Sequence, residues 1–129
     1  MQGVVERREP VGLRHLTSRE KAALSEFVAR LREKYADEVV LVTLFGSKVR
    51  GDFDEESDLD VLVVIESDGW RFHREISFIG SRASLDYDVN ISPKALTQTH
   101  YRNLQELHTP FFENVQTGGV ELWRRRERK

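Results

Sequence analysis

The sequence predicts an α/β domain, in the α+β sense of helices packed on a sheet. Three observations carry this. Two runs, "VVLVTLF" at 39–45 and "LDVLVVI" at 59–65, are β-branched and almost continuously apolar, as strands covered on both faces are. A helix-period stripe of Leu24, Phe27, Val28, Leu31 and Tyr35 precedes the first run. The chain of 129 residues has no cysteine, and that length suffices for one compact core without disulfides.

Taken in order, residues 1–16 are of mixed character, with Pro10 and Gly12 as breakers, and are expected to form an arm or loose lead-in. "TSRE" opens a helix: Thr17 caps it and Glu20, three residues on, closes a capping box, with the helix ending near Ala36. The strand 39–45 follows. The connection 46–58 is too long and polar for a tight hairpin and has room for a helical turn starting at Ser47, before the strand 59–65. "GWRFHREISFIG", 69–80, is expected to be helical. "SLDYDVNI", 84–91, alternates, with Leu85, Tyr87, Val89 and Ile91 on one face and Asp86, Asp88 and Asn90 on the other, which predicts a strand. Ser92-Pro93 fits a helix start, with Leu96, His100, Leu104 and Leu107 along one face. Thr109-Pro110 repeats the signal before "FFENVQ"; Gly118-Gly119 breaks the chain, and "VELW" is a short last strand. The expected order is α-β-(turn)-β-α-β-α-α-β. The expected division is an arm at 1–16, a single domain at 17–123 and a basic tail, "RRRERK", at 124–129.

Bulk properties exclude several classes. Without cysteine there is no thiolate metal site and no cysteine nucleophile, and the composition fits a reducing cytoplasm. No apolar run approaches the roughly 20 residues of a membrane helix, and the first residues lack a signal peptide's apolar stretch. A net charge of −2 gives no global pull toward nucleic acid.

The charge is unevenly placed. Six of the nine residues from Asp52 to Asp60 are acidic, at the mouth of an apolar strand. Asp58 and Asp60, at i and i+2, share a strand face about 6.5 Å apart along the backbone. Asp86 and Asp88 form a second such pair on the strand expected at 84–91. If the two strands are neighbours, three or four carboxylates converge, and unpaired they would repel each other and resist desolvation. Oxygen-only ligands suit a hard cation, Mg²⁺ or Mn²⁺, and two such ions about 4 Å apart are an arrangement for in-line phosphoryl chemistry. Gly46 lets a phosphate approach the backbone, and Ser47 offers a hydroxyl and an N–H. Lys48 and Arg50 are candidate neutralising cations, and Gly51 lets the chain reverse.

Residues 46–60, "GSKVRGDFDEESDLD", read as G-S-x3-G-x5-S-D-x-D. This resembles the signature of the DNA polymerase β-type nucleotidyltransferase superfamily, and the fuller form is most similar to the minimal nucleotidyltransferases (MNT). The helix before the first strand and the ending "FFENVQTGGVELW" fit the same resemblance, which covers most of the chain. It implies a polymerase β-like core, a mixed, mostly antiparallel sheet flanked by helices. It implies metal-dependent transfer of a nucleoside monophosphate, AMP from ATP, to a hydroxyl with release of pyrophosphate. Asp58 and Asp60 would hold two Mg²⁺ or Mn²⁺ ions. Asp88, with Asp86 as the alternative third carboxylate, would hold the catalytic metal and help deprotonate the acceptor. Gly46, Ser47, Arg50 and Ser57 would meet the nucleotide. Many such proteins pair with a HEPN-domain toxin, so a HEPN partner acting as acceptor is expected; a self-dimer and the acceptor itself are the other sources of an acceptor site.

Two other readings fit the same residues. One is an antitoxin that acts by binding its partner with little or no catalysis; another is a transferase for a small hydroxylated compound. Asp52, Asp54, Glu55 and Glu56 read as a solvated loop, and Ser57 as a brace. His15, His73, His100 and His108 have no metal-ligand spacing and read as filler; Tyr35, Tyr87, Tyr101, Trp70, Phe72 and Phe78 read as packing residues. The basic tail reads as a disordered end, with contact to an acidic partner or RNA as the alternative.

Overall fold

The computed structural model describes residues 13–51, 57–66 and 70–126. The expectations for residues 1–12, for Asp52, Asp54, Glu55 and Glu56, for 127–129 and for the side chain of Trp70 lie outside the described residues. The elements run α1 (Ser18–Tyr35), β1 (Val39–Phe45), α2 (Ser47–Arg50), β2 (Leu59–Ile65), α3 (Trp70–Tyr87), β3 (Ile91–Thr97), α4 (Gln98–Glu106), α5 (Pro110–Gly118) and β4 (Val120–Arg124).

The sheet order is β3-β2-β1-β4. β1 pairs antiparallel with β2 and β4, while β2 and β3 run parallel. The sheet is therefore mixed and mostly antiparallel, with helices on both faces. On one face Phe27 and Leu31 of α1 and Ile76, Ile79 and Ala83 of α3 pack on Val42, Leu44, Val61 and Val63. On the other, Val115 of α5, with the ring of Phe111, packs on Leu41, Phe45, Leu62 and Val64. β1 and β2 are covered on both sides, which is why their sequences read as near-continuous apolar runs rather than alternating ones.

Local chemistry sets several boundaries. The Thr17 hydroxyl accepts from the Glu20 N–H at 3.1 Å, and Glu20 Oε1 accepts from the Thr17 N–H at 2.9 Å, so the expected capping box forms. Ahead of it, Leu13–Leu16 make a turn that buries Leu16, so residues 13–16 of the expected lead-in are docked on the core. Thr97 and Thr109 cap α4 and α5 by accepting from His100 N and Phe112 N. Leu107 lies beyond the end of α4 and is 74 % exposed, outside the apolar face expected for it. Phe72 stacks edge-on against Tyr35 at 5.2 Å, as a packing residue should, but Phe78 is 63 % exposed on the outer face of α3 and is not core.

The strand expected at 84–91 is not there. Residues 84–87 continue α3, because Phe72, Ile76, Ile79, Ala83 and Tyr87 form a stripe at helical spacing that packs on the core. Leu85, one of the alternating positions, is 78 % exposed on the outside of the helix. Asp88 takes a left-handed conformation at φ 54°. The Val89 N–H donates to the Ser84 carbonyl at 3.0 Å, the six-to-one bond of a Schellman stop. Ser92-Pro93 does not open a helix either: both lie in β3, at the edge of the sheet, where the missing Pro N–H is tolerated and the residue before Pro is driven extended.

Candidate functional site: the Gly46 turn and the Asp58–Asp60 pair

β1 ends at Phe45, which stands opposite Asp60 in the antiparallel register. The next residue, Gly46, turns the chain into α2 with φ 91°. A Cβ there would fall 2.5 Å from Asp60 Oδ2. Two constraints thus demand glycine: the backbone region and the carboxylate lying against it. Val49 N and Arg50 N both donate to the Gly46 carbonyl at 3.2 Å, and Gly51, at φ 89°, closes the turn with its N–H on the Ser47 carbonyl at 2.8 Å. The Gly-Ser turn and the Asp-x-Asp strand start, fourteen positions apart from Gly46 to Asp60, are thereby in direct contact.

Asp58 is exposed and Asp60 half-buried. Burial raises the pKa of the Asp60 carboxyl, and the Asp58 charge raises it further; Lys94 and Arg50 pull the other way. This is an electrostatically loaded carboxylate pair, eased by two cations. The Arg50 guanidinium also reaches Asn114 Oδ1 of α5 at 3.4 Å. Lys94, on β3, shares the sheet face of Asp60 and lies 5.9 Å from the centre of the Phe111 ring. The sequence reading missed Lys94. The signal lay in "SPKAL", but only a strand at 91–97, parallel to β2, sets its side chain on the Asp60 face.

The second pair of the sequence, Asp86 and Asp88, lies elsewhere. Asp86, on α3, pairs with Arg30 of α1 at 2.9 Å, an interhelical tie that raises the Arg30 pKa. Asp88 has a side chain 94 % exposed and meets Arg19 at 3.4 Å. The expected convergence of Asp58 and Asp60 with Asp88 or Asp86 across neighbouring strands does not form, because the residue opposite Asp60 on β3 is Ser92. Among the described residues, no group of three His, Cys, Asp or Glu side chains is placed to hold one metal ion. Asp88 does share a polar cleft of about 660 Å³ with Ser57, the residue before Asp58. Lys48, expected as a candidate cation for the triphosphate, is buried and paired with Glu20 at 2.9 Å.

Among the described residues, no helix is long and apolar enough to cross a membrane. A family model for the nucleotidyltransferase domain matches residues 24–108. Two proteins of Methanocaldococcus jannaschii, each named as a candidate protein adenylyltransferase, are similar. One is 47 % identical over 104 residues, covering 81 % of this chain and 98 % of the relative. The other is 38 % identical over 100 residues, covering 77 % and 94 %. A solved structure described as a toxin–antitoxin with AMP-PNP superposes with a TM-score of 0.52 at 20 % identity, covering 75 % of this chain and 70 % of that one, and so shares the fold. With a family model across residues that include the Gly46 turn and the Asp58–Asp60 pair, and relatives alike over nearly their whole length, the chain belongs to the nucleotidyltransferase-domain family and is a nucleotidyltransferase of the minimal type.

Proposed function

We propose that the protein transfers AMP from ATP to a hydroxyl of a partner protein, a HEPN-domain toxin, and releases pyrophosphate. One observation carries the reading: the Asp60 carboxylate lies directly against Gly46, so a triphosphate gripped at the turn would have its reacting end beside the Asp58–Asp60 pair. The adenylyl group and the protein acceptor are drawn from the names of the two relatives, and the toxin from the toxin–antitoxin whose fold is shared.

The donor set suits Mg²⁺ or Mn²⁺. Asp58, just ahead of β2, and Asp60, within it, offer hard oxygens, and burial raises the Asp60 pKa, so a cation beside it would favour its charged form. A bound divalent cation would supply charge neutralisation at the phosphate under attack. The chain's own groups do the rest. The Gly46 and Ser47 backbone and the Ser47 hydroxyl orient the phosphates. Arg50 and Lys94 offset their charge, and Ser57 braces the acidic strand start. Asp88, on releasing Arg19, accepts the acceptor's proton as the hydroxyl oxygen bonds to the α-phosphorus. The bond from that phosphorus to the bridging oxygen breaks, and pyrophosphate leaves.

The test is to incubate the protein with Mg²⁺, α-labelled ATP and a HEPN-domain protein encoded beside it, then locate the label by mass spectrometry. Label on a partner tyrosine or serine, lost with Asp60→Asn, supports the reading; no label from any nucleoside triphosphate contradicts it. The separation of Asp88 from the other two carboxylates favours one second reading, an antitoxin acting by contact alone. In that case Asp58→Ala would protect cells from the partner as well as the natural sequence does.

A further inference from the structure

Glu20 and Lys48 are the buried charged residues among those described, 8 % and 5 % exposed. Lys48 Nζ lies 2.9 Å from Glu20 Oε2. The other oxygen of the same carboxylate, Oε1, accepts from the Thr17 N–H to close the capping box. One side chain thus joins the start of α1 to the second residue of α2, which directly follows Ser47. The far end of α2 rests on the same segment: a Cβ at Gly51 would fall 2.7 Å from His15 Nε2. Both ends of the turn are therefore backed by residues 15–20.

Stability alone does not account for the pair. Buried ion pairs are often no more stabilising than apolar residues of the same size, whereas removing one partner leaves a costly uncompensated charge. What the pair does supply is direction. Lys48 has to reach inward to Glu20, and this fixes the orientation of the adjoining Gly46–Ser47 peptides. We infer that the Glu20–Lys48 ion pair is a positioning device that holds the Gly46–Ser47 turn in its triphosphate-binding conformation, with Lys48 acting through the backbone and not as a phosphate ligand. The triphosphate part rests on the function proposed above; the conformational part stands on the turn itself.

The double variant Glu20→Gln/Lys48→Met removes both charges of the pair together, and Gln at position 20 can still close the capping box. It should fold as the natural sequence does by circular dichroism. The amides of Val49, Arg50 and Gly51, bonded across the turn, should exchange with solvent about tenfold faster or more, while those of β1 stay unchanged. Affinity for a non-hydrolysable ATP analogue with Mg²⁺ should fall about tenfold or more, since small displacements of positioning groups are costly. The single variant Glu20→Gln should weaken binding in the same direction. Turn amides that exchange at the natural rate in the double variant would overturn the inference, whether or not nucleotide binds. Tighter binding in Glu20→Gln would also overturn it, because Lys48 would then be a phosphate ligand restrained by Glu20. If the natural protein binds no nucleoside triphosphate, the proposed function fails and the exchange rates still decide the positioning role.

Discussion

Two Asp-x-Asp pairs with identical spacing meet different fates in this molecule. Asp60 stands at the start of a strand, half-buried against Gly46 with its carboxyl held above the ordinary range by burial, and Asp58, just ahead of the strand, adds its charge. Asp86 and Asp88 stand at the end of a helix, where one serves an interhelical ion pair with Arg30 and the other turns the chain at φ 54° beside Arg19. Spacing of two residues makes a convergent pair only where hydrogen bonding to neighbouring strands has already made the backbone extended. The chemistry of a carboxylate follows from that backbone and its neighbours, not from the motif.

The largest contrast is expected from Asp60→Asn. Nucleotidyl transfer should fall about a thousandfold, the scale at which lost electrostatic stabilisation acts. Stability should move oppositely. A carboxyl whose folded pKa is raised binds protons more readily in the folded state. It therefore weakens the fold as pH rises from the ordinary carboxylate value of 3.8 through the raised one. Asp60→Asn should remove that slope and melt higher than the natural protein at pH 7 without metal. A lower melting temperature would break the comparison, because Asp60 would then be a stabilising group. Thermal melts across pH 3–8 check this.

Asp88→Asn sharpens it next. If Asp88 leaves Arg19 to accept the acceptor's proton, turnover should fall about a hundredfold with ATP affinity unchanged. Unchanged turnover would leave Asp88 as a helix stop only. Lys94→Met follows, with an expected loss of about tenfold in affinity for the ATP analogue, in keeping with one charge-assisted contact. The carboxyl of Asp60 should also titrate higher, since Lys94 holds it down; NMR titration reads this directly. The smallest effect belongs to Asp86→Asn. Loosening a partly exposed ion pair should cost up to about 1 kcal/mol of stability in a denaturant melt and leave transfer alone.

Much of this was legible in the residues and some was not. β1 and β2 could be placed because burial on both faces writes itself as β-branched apolar runs, and α1 because a capping box marks its start. The joint of Gly46 with the Asp58–Asp60 strand was suggested by motif spacing, although only the antiparallel register of Phe45 with Asp60 makes the contact. The stretch 84–97 was misread. Leu85, Tyr87, Val89 and Ile91 alternate, yet Ala83 and Tyr87 also continue a helical stripe from Phe72, and period 2 and period 3.6 coincide over so short a window. That error hid Lys94. The Glu20–Lys48 tie was illegible because no local pattern links two charged residues from different elements until the fold buries them together.

The central claim is that the Gly46 turn and the Asp58–Asp60 pair form one binding centre for a metal-bound nucleoside triphosphate. Mn²⁺ added with AMP-PNP to ¹⁵N-labelled protein tests it most directly, since the paramagnetic ion broadens amide signals close to it. The account predicts broadening centred on Gly46, Ser47 and Asp60 and abolished by Asp60→Asn. Broadening centred on the α1–α3 face around Arg30 and Asp86, or left intact by Asp60→Asn, would contradict it.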